Sequence, residues 1–169
     1  PHLFSSAASD VYKRQVALVL PHLLFGLDVE SGGRLSTEQA AVDVKHYRID
    51  IRVDPYKKTI IGKVDIAFQL LENTDQLTFD LLNRYSVSGV SVNDTHLSFK
   101  KENNQIKIAN PGLPIFKDHL LTIKYGGKPP VAKNPPWDGG VTWSKDSDGL
   151  PWVSVSCQTN GAHIWFPCK

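Results

Sequence analysis

A strict alternation of apolar and polar residues is the feature that most constrains the fold of this chain. From Val42 onward, short runs carry an apolar residue at every second position. The two longest runs have apolar residues at Tyr47, Ile49, Ile51 and Val53, and at Val64, Ile66, Phe68 and Leu70. A period of two is typical of a β-strand that buries one face. No later stretch keeps the spacing of three and four of an amphipathic helix, so the pattern predicts few helices.

Turn-forming residues separate the alternating runs and predict how the strands connect. Residues 54–58 (Asp-Pro-Tyr-Lys-Lys) lie between the two longest runs and predict a hairpin turn. Gly89 interrupts a later run and predicts a β-bulge. Residues 128–138 contain four prolines, each of which lacks a backbone donor for a sheet, and predict a long loop. We predict an all-β fold, an antiparallel saddle-like sandwich or curved sheet.

Charge and the length of one apolar run argue against a nucleic-acid partner and against a transmembrane segment. The chain is 41% hydrophobic and 21% charged, which is typical of a folded globular protein. Its formal net charge is +2, with basic and acidic residues interleaved, so nothing indicates a nucleic-acid partner. The apolar run at residues 16–27 is interrupted by Pro21 and His22. A span across a bilayer needs about 20 apolar residues, so we predict no transmembrane segment.

The first 37 residues differ in kind from the rest. Residues 5–15 match the translation of a transposase adapter used in sequencing libraries, and we interpret residues 1–15 as an adapter-like artefact. Residues 16–37 are interpreted as a leader or signal-peptide remnant, with a packed segment as the alternative. The signal-peptide interpretation favours an exported protein: periplasmic, secreted or surface-associated. The chain contains no methionine, and we interpret it as a gene fragment that is incomplete at its C-terminus.

The C-terminal segment, residues 156–168, reads Ser-Cys-Gln-Thr-Asn-Gly-Ala-His-Ile-Trp-Phe-Pro-Cys. It resembles the segment that closes the substrate pocket in the aminopeptidase N family of zinc metallopeptidases. Residues 38–47, followed by an alternating strand and by residues 59–62, resemble the opening of that family's N-terminal β-domain. The resemblance covers residues 38–169. It implies a truncated, saddle-like β-domain that packs on a thermolysin-like catalytic domain of the same chain.

The resemblance also implies an activity and one site residue. The parent protein would be a zinc-dependent aminopeptidase, which removes N-terminal residues from peptides. Gln158 stands eight residues before Phe166 and corresponds to the family's Gln or Glu that binds the substrate's free amino terminus. A carboxamide oxygen suits this role, because it accepts a hydrogen bond from an ammonium group and carries no charge. We also predict that Gln158 lies at the end of a strand, since residues 153–158 alternate.

Zinc and the catalytic residues are expected outside this chain. None of the six histidines belongs to a His-Glu-x-x-His pattern, which places two imidazoles on one helical face for zinc. We therefore predict that this fragment binds no zinc, contributes no catalytic residue and is inactive alone. The expected partners are a peptide substrate with a free N-terminus and the missing catalytic domain.

Four other features favour structural roles. His163 is interpreted as a structural histidine. Cys157 and Cys168 are eleven residues apart and favour free thiols over a bridge. Residues 146–149 (Asp-Ser-Asp-Gly) favour a turn over a calcium loop. Residues 93–95 fit a glycosylation sequon, a pattern too short to carry weight alone.

Tryptophans supply the alternative function. Trp137, Trp143, Trp152 and Trp165 are concentrated in the last third of the chain. If exposed on one face, they would make a non-catalytic β-sandwich module that binds carbohydrate or protein; if packed, they are core or interdomain residues. A third hypothesis is a structural scaffold in an inactive relative of the peptidases.

Overall fold

A computed structural model of the protein describes residues 33–158 and 160–169. The adapter-like residues and most of the interpreted leader therefore lie outside the described residues. The elements in chain order are α1 (Thr37–Ala40), β1 (Val42–Asp54), β2 (Thr59–Leu70), β3 (Gln76–Asp80), β4 (Tyr85–Val92), β5 (Thr95–His96), β6 (Phe99–Glu102), β7 (Gln105–Ala109), β8 (His119–Gly127), β9 (Gly140–Lys145), β10 (Pro151–Ser156) and a 3₁₀ turn (Ala162–Ile164).

The strands form three antiparallel sheets, which confirms the predicted all-β class. The main sheet has five strands in the order β1-β2-β8-β4-β5, the second has the order β3-β7-β6, and the third is the β9–β10 hairpin. The predicted first hairpin is confirmed, since β1 pairs with β2 from Val42–Leu70 to Asp54–Thr59. Its turn is stabilised by Asp54, whose Oδ1 accepts hydrogen bonds from the backbone N–H of Tyr56 and Lys57.

The core lies between the main sheet and the second sheet. The alternating residues of β2, β3, β7 and β8 are fully buried, as predicted: Val64, Ile66, Phe68, Leu70, Leu77, Phe79, Ile106, Ile108, Leu121, Ile123 and Tyr125. Burying one such large side chain stabilises the fold by about 1.5–3 kcal/mol. The rings of Phe68 on β2 and Phe79 on β3 meet edge to face with centroids 6.4 Å apart. This aromatic contact joins the two sheets.

Two register shifts interrupt the main sheet. The predicted bulge is confirmed in β4, where the pairing with β8 shifts between Val87 and Gly89. A second shift lies in β1 between Val44 and His46. Bulges increase local twist, in keeping with a curved sheet. Residues 128–138 form a loop, as predicted, with a single parallel bridge from Val131 to Val141.

The β9–β10 hairpin departs from the sequence prediction in two ways. Alternation predicted one buried face for β10, but Trp152, Val153 and Val155 are 59%, 36% and 39% exposed. The β9–β10 hairpin is a separate two-stranded sheet, and residues 151–155 of β10 are exposed on both faces, so neither face is covered there. The strand also ends at Ser156, so Gln158 lies two residues beyond the strand end.

The helix α1 is a single capped turn at the start of the fold. Ser36 Oγ accepts a hydrogen bond from the backbone N–H of Gln39, and the Gln39 side chain accepts one from the N–H of Ser36. This reciprocal pair is a capping box, which satisfies two otherwise free backbone donors. Within the two described ranges, no helix is long and apolar enough to cross a membrane.

Candidate functional site

Gln158 lies in a tight turn that follows β10. The backbone N–H of Gly161 donates to Cys157 O at 2.8 Å, and that of Asn160 donates to Gln158 O at 2.9 Å. Gly161 has φ 77°, a left-handed conformation that glycine adopts without strain. These bonds turn the backbone out of the strand ladder, while the side chain of Gln158 is exposed. A polar amide is therefore presented to solvent from a constrained backbone.

Asn160 attaches this turn to the residue that precedes β9. The backbone N–H of Gly139 donates to Asn160 Oδ1 at 2.9 Å. A Cβ at position 139 would lie 2.2 Å from the same Oδ1, so only glycine permits this approach. The turn is thus fixed relative to the β9–β10 hairpin at a point opposite the end of β10.

Two tyrosines of the main sheet hold the chain that follows the turn. Tyr85 on β4 donates its hydroxyl hydrogen to Ile164 O at 2.8 Å, and Tyr125 on β8 donates to Trp165 O at 2.8 Å. Their rings meet edge to face, with centroids 5.6 Å apart. Burial raises the pKa of both hydroxyls well above their usual value. Both hydroxyls therefore remain protonated donors at neutral pH.

Removing these two hydroxyls is expected to destabilise the fold without changing its shape. Tyr85→Phe removes a buried hydrogen bond and Tyr125→Phe a partly buried one. Each leaves a carbonyl without its donor, at a cost of about 1–3 kcal/mol. The free energy of unfolding from urea titration measures the effect. Tyr56→Phe is the matched control, because Tyr56 is 85% exposed. Equal stability of the parent chain and of a variant that carries both Tyr85→Phe and Tyr125→Phe would contradict this role.

The end of the segment is fixed by Asp80 at the edge of the second sheet. Asp80 and Cys168 exchange backbone hydrogen bonds of 2.7 and 3.1 Å. The Asp80 carboxylate accepts hydrogen bonds from the side-chain amides of Gln39 and Gln105, each at 3.1 Å. The backbone N–H of Lys169 donates to the hydroxyl of Tyr47 at 3.0 Å. The segment that contains Gln158 is therefore held on both sides of the turn.

Both cysteines are free thiols, as the sequence favoured. Burial raises the pKa of the Cys168 thiol to about 12, and the negative charge of Asp80 adds to the effect. Burial also raises the pKa of the Cys157 thiol, although a hydrogen bond from Trp165 partly offsets it. Thiols with raised pKa values are poor nucleophiles, so neither has the character of a reactive cysteine.

Alkylation tests this assignment. Since the thiolate fraction of Cys168 would be about 10⁻⁴ near pH 8, we expect iodoacetamide to modify the native chain very slowly. Intact-mass spectrometry counts the modifications, and the same reaction in guanidinium chloride should label both thiols. Fast labelling of Cys168 in the native chain would be at odds with its burial, and a mass lower by two hydrogens would reveal a disulfide.

The remaining candidates from the sequence, His163, residues 146–149 and Asn93, make hydrogen bonds within the fold. His163 is buried, and its carbonyl accepts a hydrogen bond from the N–H of Leu82. Residues 146–149 form a turn, as favoured, in which Asp146 Oδ1 accepts from the N–H of Asp148 and of Leu150. Asn93 Oδ1 accepts from the N–H of Leu120, and its Nδ2 contacts the His119 ring. The Asn93 amide of the sequon is therefore engaged within the fold.

Zinc has no ligand set in the described part of the chain. Across residues 33–158 and 160–169, no group of three or more His, Cys, Asp or Glu side chains could hold a metal ion. These residues therefore do not fit a zinc centre. That the chain binds no zinc stays a prediction.

The four tryptophans do not share one exposed face. Trp137 is 67% exposed and Trp152 is 59% exposed, whereas Trp143 and Trp165 are partly buried and pack against the core. Trp143 and Trp165 are therefore packing residues, one of the two roles considered from the sequence. The exposed pair keeps the binding interpretation open, at separate places on the surface loop and the hairpin.

Comparison with known proteins places this fold. No protein-family model matches the chain, and no curated protein matches it. Among solved structures, a two-domain M1 zinc metallopeptidase variant bound to L-arginine is 24% identical with a TM-score of 0.62; the match covers 78% of this chain and 30% of that one. The M1 zinc metallopeptidase from Deinococcus radiodurans is 20% identical with a TM-score of 0.58, covering 78% and 30%. Native yeast LTA4 hydrolase is 21% identical with a TM-score of 0.61, covering 76% and 21%.

These likenesses show that the chain shares its fold with a part of M1 zinc metallopeptidases. The chain spans about a third or less of the length of each of these structures. The resemblance predicted from the sequence is thereby confirmed at the level of the fold.

The sequence alone did not identify the residues that hold the segment in place. Tyr85, Tyr125 and Asp80 act on partners that are 79, 40 and 88 positions away along the chain. Alternation marked Tyr125 as buried but gave no sign of its hydroxyl's partner. A buried tyrosine that needs an acceptor was the one available signal.

Proposed function

We propose that this chain is the substrate-recognition part of a zinc-dependent aminopeptidase that removes N-terminal residues from peptides. The observation that carries the proposal is the fold that the chain shares with M1 zinc metallopeptidases. One of those chains was solved with L-arginine bound and another with L-tryptophan. Ligands with a free α-amino group agree with a site that recognises a peptide's first residue.

Gln158 would bind the substrate's α-ammonium group. Its side chain is exposed and its backbone is held by the turn, so the amide is available to a ligand and costs little to position. A neutral carboxamide discriminates by hydrogen bonding: an ammonium group donates to it, whereas a blocked amino terminus has lost the charge that makes the bond strong. Gln158 would thereby fix which peptide bond is presented for cleavage.

The catalytic domain would pack near the exposed hairpin and would carry the zinc. Val153 and Val155 are exposed apolar residues on one face of the strand that leads to Gln158. A group of exposed apolar residues on a strand is typical of a surface that another layer covers. Zinc would supply a Lewis acid and an activated water, whereas this chain's contribution would be positioning.

We also propose that the parent protein is exported, because the apolar run at residues 16–27 resembles the core of a signal peptide.

Extending the source DNA beyond Lys169 tests the proposal directly. We expect a Gly-x-Met-Glu-Asn strand, then His-Glu-x-x-His and a downstream Glu. A degraded zinc motif would favour an inactive scaffold. A stop codon or an unrelated module would favour the alternative, a non-catalytic binding module.

The isolated 169-residue chain is expected to be inactive. We expect no release of amino-acid anilides and no stoichiometric zinc, because the described residues contain no ligand set for the metal. Absorbance measures the release, and elemental analysis after dialysis against zinc measures the binding. Release by the metal-loaded chain that a chelator abolishes would refute this prediction.

A further inference from the structure

A pocket of about 210 Å³ lies where the β1–β2 turn meets the β9–β10 hairpin. The turn contributes Pro55, Tyr56 and Lys58. The hairpin contributes Trp143, Ser144, Lys145, Pro151 and Trp152. Nothing in the proposed peptidase function uses this pocket.

All the charged groups in the pocket lining are cationic. Lys58 and Lys145 are exposed, and neither forms an ion pair with any residue that the structure describes. The nearest acidic residues in sequence, Asp54 and Asp146, each accept two backbone hydrogen bonds within their own turns. The pocket therefore offers two unpaired ammonium groups to an anion.

The apolar part of the lining is aromatic. Tyr56 is 85% exposed and Trp152 is 59% exposed, and these side chains come from turns and strands far apart in sequence. Trp143 also lines the pocket, and its indole N–H is a buried donor with no hydrogen-bond acceptor within the described part of the chain. Aromatic side chains and two unpaired ammonium groups thus line one pocket.

The volume of the pocket is suited to a ligand unit that contains a single ring. Pockets that hold a drug-sized ligand measure about 300–1,000 Å³, so this one accommodates a ring-sized unit of a longer ligand. An acidic peptide would need two neighbouring residues to supply both a ring and a carboxylate. A uronic acid supplies the ring, the carboxylate and several hydroxyl groups in one unit of that size.

We propose that this pocket binds a uronic acid unit of an acidic oligosaccharide. The sugar's C–H face lies against the aromatic side chains, and its carboxylate pairs with Lys58 and Lys145. The proposal is independent of the peptidase function, since it rests on groups distinct from Gln158. A tetrasaccharide of galacturonic acid is the probe, with maltotetraose as the neutral comparison.

Calorimetric titration of the 169-residue chain tests the ligand class. We expect the acidic tetrasaccharide to bind roughly tenfold more tightly than maltotetraose, and its affinity to fall as salt is added. Equal affinity for both sugars, or no binding of either, overturns the proposal. Binding of the acetylated peptide amide Glu-Trp-Glu in place of the sugar also overturns it, in favour of acidic peptides.

Matched variants test the location. Trp152→Ala and Lys145→Gln are expected to weaken binding of the acidic tetrasaccharide by roughly tenfold. Trp137→Ala and Lys117→Gln are the controls, because both residues are exposed and lie outside the pocket lining. Since Trp152 is part of the hairpin, Tyr56→Ala gives a second test from the β1–β2 turn. Equal losses in pocket and control variants, or no loss in either, overturn the assignment.

Discussion

Under the proposed aminopeptidase function, replacing Gln158 by alanine in the full-length protein is expected to lower kcat/KM for peptides by about 10- to 100-fold. The physical reason is the loss of one hydrogen bond to a charged group, which is worth about 1.5–3 kcal/mol. Gln158 is exposed, and its backbone carbonyl makes the hydrogen bond within the turn, so truncating the side chain leaves the fold intact. Steady-state kinetics with amino-acid anilides measure the change.

Two companion variants make this result specific. Gln158→Glu should keep most of the activity, because a carboxylate also accepts a hydrogen bond from an ammonium group. Ser154→Ala on β10 is the control for a nearby exposed side chain and should leave kcat/KM unchanged. The role assigned to Gln158 would be abandoned if the alanine variant turned over peptides like the parent enzyme.

Replacing Phe68 by alanine is expected to cost about 3–5 kcal/mol of unfolding free energy. Phe68 is 1% exposed, and its ring contacts Phe79 of the second sheet and the His119 ring, with centroids 6.4 and 5.5 Å apart. The variant leaves a cavity at the junction of two sheets that can close only if both move. Domains of this size have about 5–15 kcal/mol in total, so the variant should be close to unfolding.

Urea titration followed by tryptophan fluorescence measures this loss as a shift of the midpoint. Phe116→Ala is the matched control, because Phe116 is 63% exposed. Its effect should stay within about 0.5 kcal/mol, as for most surface substitutions. Similar midpoints for the two variants would show that the aromatic contact between the sheets contributes little.

The part of the fold that could be predicted from the sequence follows from the local alternation of apolar and polar residues. Alternation correctly identified the buried residues of β2 and β8, because each strand has one face against the core. The same pattern misled in β10, where Val153 and Val155 are exposed. Alternation reports which residues share a face, but burial of that face depends on what packs against it. The end of β10 was also missed, since the backbone N–H groups of Asn160 and Gly161 bond to the carbonyls of Gln158 and Cys157 instead of extending the strand ladder.

Gln158 was proposed from the family resemblance, through its spacing to Phe166, and its role stays a prediction. The residues that hold its segment in place could not be predicted. The hydroxyls of Tyr85 and Tyr125 could not be assigned, because their acceptors are set by the packing of residues 162–165 on the main sheet. Asn160 was missed for the same reason, since its partner Gly139 lies 21 positions earlier.

The hydroxyls of Tyr85 and Tyr125 donate hydrogen bonds to backbone carbonyl oxygens, which every residue has. At residues 164 and 165 the anchorage therefore makes no demand on side-chain identity. The side chains at these two positions are restricted by packing instead, since Ile164 is buried and Trp165 packs against the core. A substitution at either position is therefore expected to change the core packing, while its backbone carbonyl still accepts the hydroxyl hydrogen.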